Sequence, residues 1–145
     1  MNKNEVVYET CLLIVRHFRN LVEHNGYGFN SRIFSHMLHP EKEFVFAGTS
    51  EELNQNSSVH PEHVVPCAVL ISECRRLIKE GFTDSQIATL LQKHWKVAHI
   101  TKEEAHKLDS ELRLKSVMPE GWSFEAGNTL ARFEVAKINL VNGWL

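Results

Sequence analysis

The chain has 145 residues, 43% of them hydrophobic and 23% charged, which is the size and balance of one globular domain. Sixteen Lys and Arg against eighteen Asp and Glu leave a formal charge of −2, which excludes a polybasic protein whose whole surface binds nucleic acid. No apolar run approaches the roughly 20 residues of a membrane span, and Met1-Asn2-Lys3-Asn4-Glu5 lacks the marks of a secretion signal, so no membrane contact and a cytoplasmic location are expected.

In chain order, Val7, Cys11, Ile14, Val15, Phe18 and Val22 recur at three- and four-residue steps and predict an amphipathic helix over 5–22. Asn25-Gly26 ends it in a turn. A short helix is expected from Ser31 to Leu38, closed by His39-Pro40. Glu43-Phe44-Val45-Phe46-Ala47 predicts a strand, and the polar run from Thr49 to Ser58 a loop. His60 to Pro66 reads as a short extended segment, because proline near each end disfavours helix. A helix follows over 67–80 with Gly81 as its C-terminal cap. Thr83-Asp84-Ser85-Gln86 has capping-box spacing and opens a second helix through His94. Val97-Ala98-His99-Ile100 is a strand, and Thr101-Lys102-Glu103-Glu104 a second capping box opening a helix to Leu112. A turn at Met118-Pro119-Glu120-Gly121-Trp122 precedes a last helix over 128–138.

Cys11, Cys67 and Cys74 form no CxxC pair, and an odd count without a secretion signal argues against a disulfide framework. Cys67 and Cys74, seven apart on a predicted helix, share a face. Nine histidines direct attention to metal and acid–base chemistry.

Two segments carry that chemistry. Glu62-His63-Val64-Val65-Pro66 sets a carboxylate beside an imidazole on a strand. Val97 to Thr101 is a second strand feeding a helix with polar first turns. Phosphodiester hydrolysis needs a base for water and a divalent cation to neutralise charge on the phosphate and leaving oxygen. An imidazole with a pKa near 6.5 suits the first task, and carboxylate with imidazole suits the second.

Glu62-His63-Val64-Val65-Pro66 resembles the first motif of the HNH, or His-Me finger, endonucleases: an acidic residue, His, two β-branched residues, Pro. The step from Ile100-Thr101 into the next helix is similar to the second half of that finger. The resemblance covers residues 60–110. It implies a ββα-metal fold, metal-dependent cleavage of DNA, His63 as general base and Glu62 as metal ligand, with His106 and Glu104 completing the site on the helix. The chain departs from the family pattern between the strands, where residues 67–96 read as two helices instead of a loop with a central Asn. Glu104 is also the third residue of its capping box and is able to act there. His60 stands close enough to assist.

For phosphate contacts the expected cations are Arg132, set among small and apolar neighbours, and Arg75 and Arg76 on the helix after the first motif. The expected fold is therefore α+β, one domain over 1–145. Residues 1–58 and 113–145 would wrap a ββα-metal core at 59–112, a small hairpin plus metal-binding helix with a helical insertion. The expected function is a DNA endonuclease with one divalent ion, Mg first, with Mn, Ni or Zn as alternatives. A homodimer is expected, with Gly143-Trp144-Leu145 as a candidate interface element. The alternative is a catalytically inactive HNH-fold protein of the phage or mobile-element type that binds a host protein or nucleic acid. A small-molecule hydrolase using His and Cys stands third, because no such pair lies in a recognisable nucleophile motif.

Overall fold

A computed structural model describes residues 1–24 and 30–141; the predicted turn at Asn25-Gly26 and the candidate interface residues Gly143-Trp144-Leu145 lie outside the described residues. Among the described residues six α-helices and four strands follow one another as α1 (Lys3–His24), α2 (Arg32–Met37), β1 (Phe46–Ser50), β2 (Val59–His63), α3 (Cys67–Lys79), α4 (Asp84–His94), β3 (Val97–Thr101), α5 (Lys102–His106), α6 (Ala131–Ala136) and β4 (Leu140–Val141). The architecture is α+β. The strands form one mixed sheet in the order β2-β3-β1-β4. The β2–β3 pair is antiparallel, with Glu62 opposite Ala98 and His63 opposite Val97. β1 runs parallel to β3, and β4 antiparallel to β1.

The expected two-stranded hairpin is thus the outer half of a four-stranded sheet. A register shift between Phe46 and Gly48 bends β1, where Gly48 has φ +141°, a backbone setting that favours glycine. The strand itself begins three residues later than the sequence suggests. Glu41–Glu43 form a 3-10 turn after Pro40, with the amides of Phe44 and Val45 both donating to the Glu41 carbonyl. That turn carries Glu41 toward the end of β2.

Strand alternation divides the interior in two. On one side Val97 joins Val7, Cys11, Ile14, Val15 and Phe18 of α1, Leu70, Cys74 and Leu77 of α3, and Ile87 and Leu91 of α4. Each such side chain contributes about 1.5–3 kcal/mol on leaving water. Arg19 of α1 fastens this layer at the start of α4, donating to Asp84 at 2.6 Å and to the Phe82 carbonyl at 2.6 Å. The predicted capping box at Thr83 and Gln86 is present. On the other side Ala98 and Ile100 meet Ala105 and Leu108, together with Phe133, Ala136 and Ile138 of and after α6. α5 starts from the predicted capping box at Thr101 and Glu104, then widens into a π-helical turn over Lys107–Glu111. α6 is shorter than predicted and ends at Lys137, whose φ of +59° breaks the helix. None of the helices among the described residues is long and apolar enough to cross a membrane.

Candidate active site

Alternation along β2 decides the geometry of the site. Glu62 and His63 are successive strand residues, so their side chains leave opposite faces of the sheet. Glu62 shares a face with its partner Ala98, the side covered by α5 and α6. His63 shares the other with Val97 and His99. The string Glu-His therefore presents its two groups to two different environments.

On the His63 side, Nε2 donates to Glu41 Oε2 at 2.7 Å, and the indole Nε1 of buried Trp95 donates to the same oxygen at 2.8 Å. Cys67, the first residue of α3, follows four positions after His63. Burial alone pushes the His63 imidazole down, but its hydrogen bonds to Cys67 and Glu41, with their charges, outweigh this and raise it from 6.5 to about 10. Burial likewise pushes Glu41 up, yet the hydrogen bonds from His63 and Trp95 and the charges of His63 and His39 hold it below the usual carboxylate value. The pair is an imidazolium held by a carboxylate. In that state His63 is a proton donor at neutral pH, where the sequence suggests a base.

The side chain of His63 remains 29% exposed and Glu41 11%. Both line a pocket of about 460 Å³ together with Ser35, His39, Lys42, Pro61 and His99. His99 is held down by burial first and by Lys42 second, so its ring stays neutral there. The one carboxylate of this wall is already paired with His63. The pocket is chemically disposed to take an anion.

On the opposite face Glu62 is held between Arg132 and His60. Arg132 Nη2 donates to Oε2 at 3.0 Å, and His60 Nε2 to Oε1 at 3.1 Å. The Arg132 side chain is 0% exposed. Its remaining donors reach the carbonyls of Leu114 at 2.8 Å, His63 at 3.0 Å and Val64 at 3.1 Å. Arg132 was expected to face phosphate; it is instead a buried strut that ties the end of β2 to α6 and to the segment before it. The small and apolar neighbours that single it out in the sequence are packing around a buried guanidinium.

The expected metal ligands are not brought together. Glu104 accepts from the Thr101 amide at 2.9 Å through one oxygen and from the Ser50 hydroxyl at 2.8 Å through the other. His106 is exposed on α5. Among the described residues no group of three or more His, Cys, Asp or Glu side chains is placed to hold a metal ion. Glu62, Glu104 and His106 as they stand do not fit one cation. Arg76 is occupied by Glu73 at 2.6 Å, Glu80 at 2.5 Å and Glu125, which raise it further above its ordinary value. Arg75 is half-buried on the same helix.

Two participants escaped the sequence reading. Glu41 lies 22 positions upstream in a polar turn, and Trp95 at the end of α4; nothing local marks Glu41 as a partner of His63 or Trp95 as a partner of Glu41. His94 is a buried structural group contacting Thr129 and the Phe124 carbonyl. No protein-family model matches the chain, and neither a curated protein nor a solved structure is significantly similar to it.

Proposed function

We propose that this chain is a hydrolase of phosphodiester bonds in DNA in which His63 is the acid–base group. The observation that carries the reading is the 2.7 Å hydrogen bond from His63 to Glu41 at the wall of an open pocket. A carboxylate behind an imidazole fixes the ring's orientation and tautomer and stabilises its cationic form. Held in that form, His63 is suited to protonate a leaving oxygen, and Lys42 offers charge to the phosphate. The resemblance to HNH endonucleases supplies the substrate class. It also supplies the expectation of one divalent ion, Mg first, and of a homodimer. Because the expected ligands do not converge, no step of the reaction is assigned here to a cation.

Nicking of supercoiled plasmid tests this. Reactions contain Mg²⁺, Mn²⁺, Ni²⁺, Zn²⁺ or chelator, with the wild type, His63→Ala and Glu41→Gln. Loss of an acid–base group lowers the rate by about 10²–10⁴-fold, and that is the effect expected of His63→Ala. Nicking that survives His63→Ala unchanged overturns the assignment.

One observation favours a second reading. The residue expected to grip a cation, Glu62, is consumed by a buried arginine, as in a fold kept without its catalysis. In that case the chain is a binding or regulatory protein of the phage or mobile-element type. It then retains DNA or host-protein binding in His63→Ala and cleaves under none of the cations.

A further inference from the structure

The sheet face that carries His63 stays open beyond that residue. Alternation along β2 and β3 sets Val59, Pro61 and His63 on one face with Val97, His99 and Thr101. Val59 and Pro61 are exposed there, whereas α5 and α6 cover the opposite face. His99 is the one residue of β3 that is not buried. Its ring stands edge-on to Phe46 of β1, with centroids 5.2 Å apart. These two rings line a hollow of about 500 Å³ with Leu53, Asn54, Gln55 and Val59. Among the described residues none of the lining side chains carries a charge, since His99 is held neutral. The loop after β1 forms the rim and is tied to itself. The Leu53 amide donates to the Ser50 carbonyl at 3.1 Å, the Asn54 amide to the Ser57 hydroxyl at 3.1 Å, and the Asn56 amide to the Asn54 side-chain oxygen at 2.8 Å. Gln55 stands exposed on that loop. His99 lines both this hollow and the pocket of His63 and Lys42, so the two are adjoining halves of one groove. The His63–Val97 and Pro61–His99 rows lie two residues apart along the strands, about 7 Å.

Two chemistries therefore lie side by side. One is a neutral hollow with aromatic walls and a carboxamide rim; the other is a pocket disposed to take an anion. A planar ring with hydrogen-bonding edges, joined by a short linker to an anion, matches both halves. We propose that this groove binds one unpaired nucleotide, its base in the hollow of Phe46, Val59 and His99 and its phosphate at Lys42 and His63. The inference rests on the reading of the His63 pocket as a phosphate site, and adds the form of DNA that enters it. A base inside a duplex is stacked on both faces and does not reach a side pocket, whereas a single strand or an extruded nucleotide presents its ring. Packing of that ring against Phe46 and His99 is tolerant of base identity, because every base has a π-face. Asn54 and Gln55 each carry donor and acceptor groups for its edge. An acyl chain fills the same hollow but makes no use of the carboxamide rim.

Fluorescence anisotropy of the full chain tests this with three labelled probes of equal length: an oligothymidylate, an abasic strand and a duplex. The wild type binds the oligothymidylate about 10-fold tighter than either of the others. Phe46→Ala weakens that binding by about 5- to 150-fold. Gln55→Ala, at an exposed loop position that the fold does not depend on, weakens it by about 5-fold. Both substitutions leave the abasic strand unaffected, while Lys42→Ala weakens the oligothymidylate and the abasic strand by the same factor. An abasic strand bound as tightly as the oligothymidylate by the wild type shows that the base is not held. With a Lys42→Ala effect still present, that result overturns this inference alone. Displacement of the oligothymidylate by decanoate and not by thymidine monophosphate gives the groove to an acyl chain and overturns it as well. Binding of none of the three probes, or binding indifferent to Lys42→Ala, removes the phosphate reading beneath it.

Discussion

Replacing Arg132 with Met separates a structural arginine from a phosphate-binding one. The guanidinium is fully buried and gives hydrogen bonds to Glu62 and to three main-chain carbonyls, those of Leu114, His63 and Val64. Met fills much of the volume but donates nothing. Each orphaned buried acceptor costs about 1–3 kcal/mol, and breaking a buried ion pair from one side costs about 3–5 kcal/mol in total experience with such pairs. Part of that cost is relieved here, because Glu62 keeps His60 and 13% of its own surface. With the three carbonyls at the low end of their range, about 3 kcal/mol together, and the partly relieved ion pair adding up to about 2 more, the loss is about 3–5 kcal/mol. The unfolding entropy of a 145-residue chain is about 0.3 kcal/mol/K, so Tm falls by about 10–16 °C. Differential scanning calorimetry and urea titration measure it. The double variant Arg132→Met with Glu62→Leu is less destabilised than Arg132→Met alone, since it no longer strands a buried carboxylate. An Arg132→Met protein with wild-type Tm and weakened DNA binding refutes the reasoning and restores the arginine to the phosphate.

Two further outcomes follow from the same contacts. The folded-state pKa of His63 is raised, so its contribution to stability is fully present below about 6.5 and is lost as pH rises toward about 10; that of Glu41 is lowered, so its contribution is present above the ordinary carboxylate value and is lost as pH falls through the folded one. Glu41→Gln therefore costs most at mildly acidic pH, between the ordinary carboxylate value of 4.5 and about 6.5, and flattens the dependence of Tm on pH at both ends, and an unchanged profile counts against the pair. Gly48→Ala places a Cβ 2.8 Å from the Val141 carbonyl at a φ of +141°, and thermal melts are expected to show a loss of about 1–3 kcal/mol; a neutral effect means that β4 does not lie against β1 as described.

The helices were legible because their signals are local. The 3.6-residue stripe of α1 and the two capping boxes at Thr83 and Thr101 depend on neighbours within one or two turns, and all three stand in the structure. The antiparallel β2–β3 pair was also anticipated. What escaped is non-local. The parallel pairing of Phe46–Thr49 with Val97–His99 joins segments separated by two helices, and β4 is two residues long. Within the site, the histidine was found and its environment was not. Glu-His reads as a single motif in one dimension, but the two-residue period of a strand sends the carboxylate to Arg132 and the imidazole to Glu41. Arg132 stood out for a sound reason, a lone cation among apolar residues, yet such isolation marks a buried donor as readily as an exposed ligand contact.

Imidazole ¹⁵N resonances of His63, followed by NMR from pH 5 to 11, report on the arrangement from which both functional readings start. A midpoint near 10 that falls toward 6.5 in Glu41→Gln is the expected result. A wild-type midpoint near 6.5, unmoved by that substitution, would show that neither Glu41 nor Cys67 holds the ring.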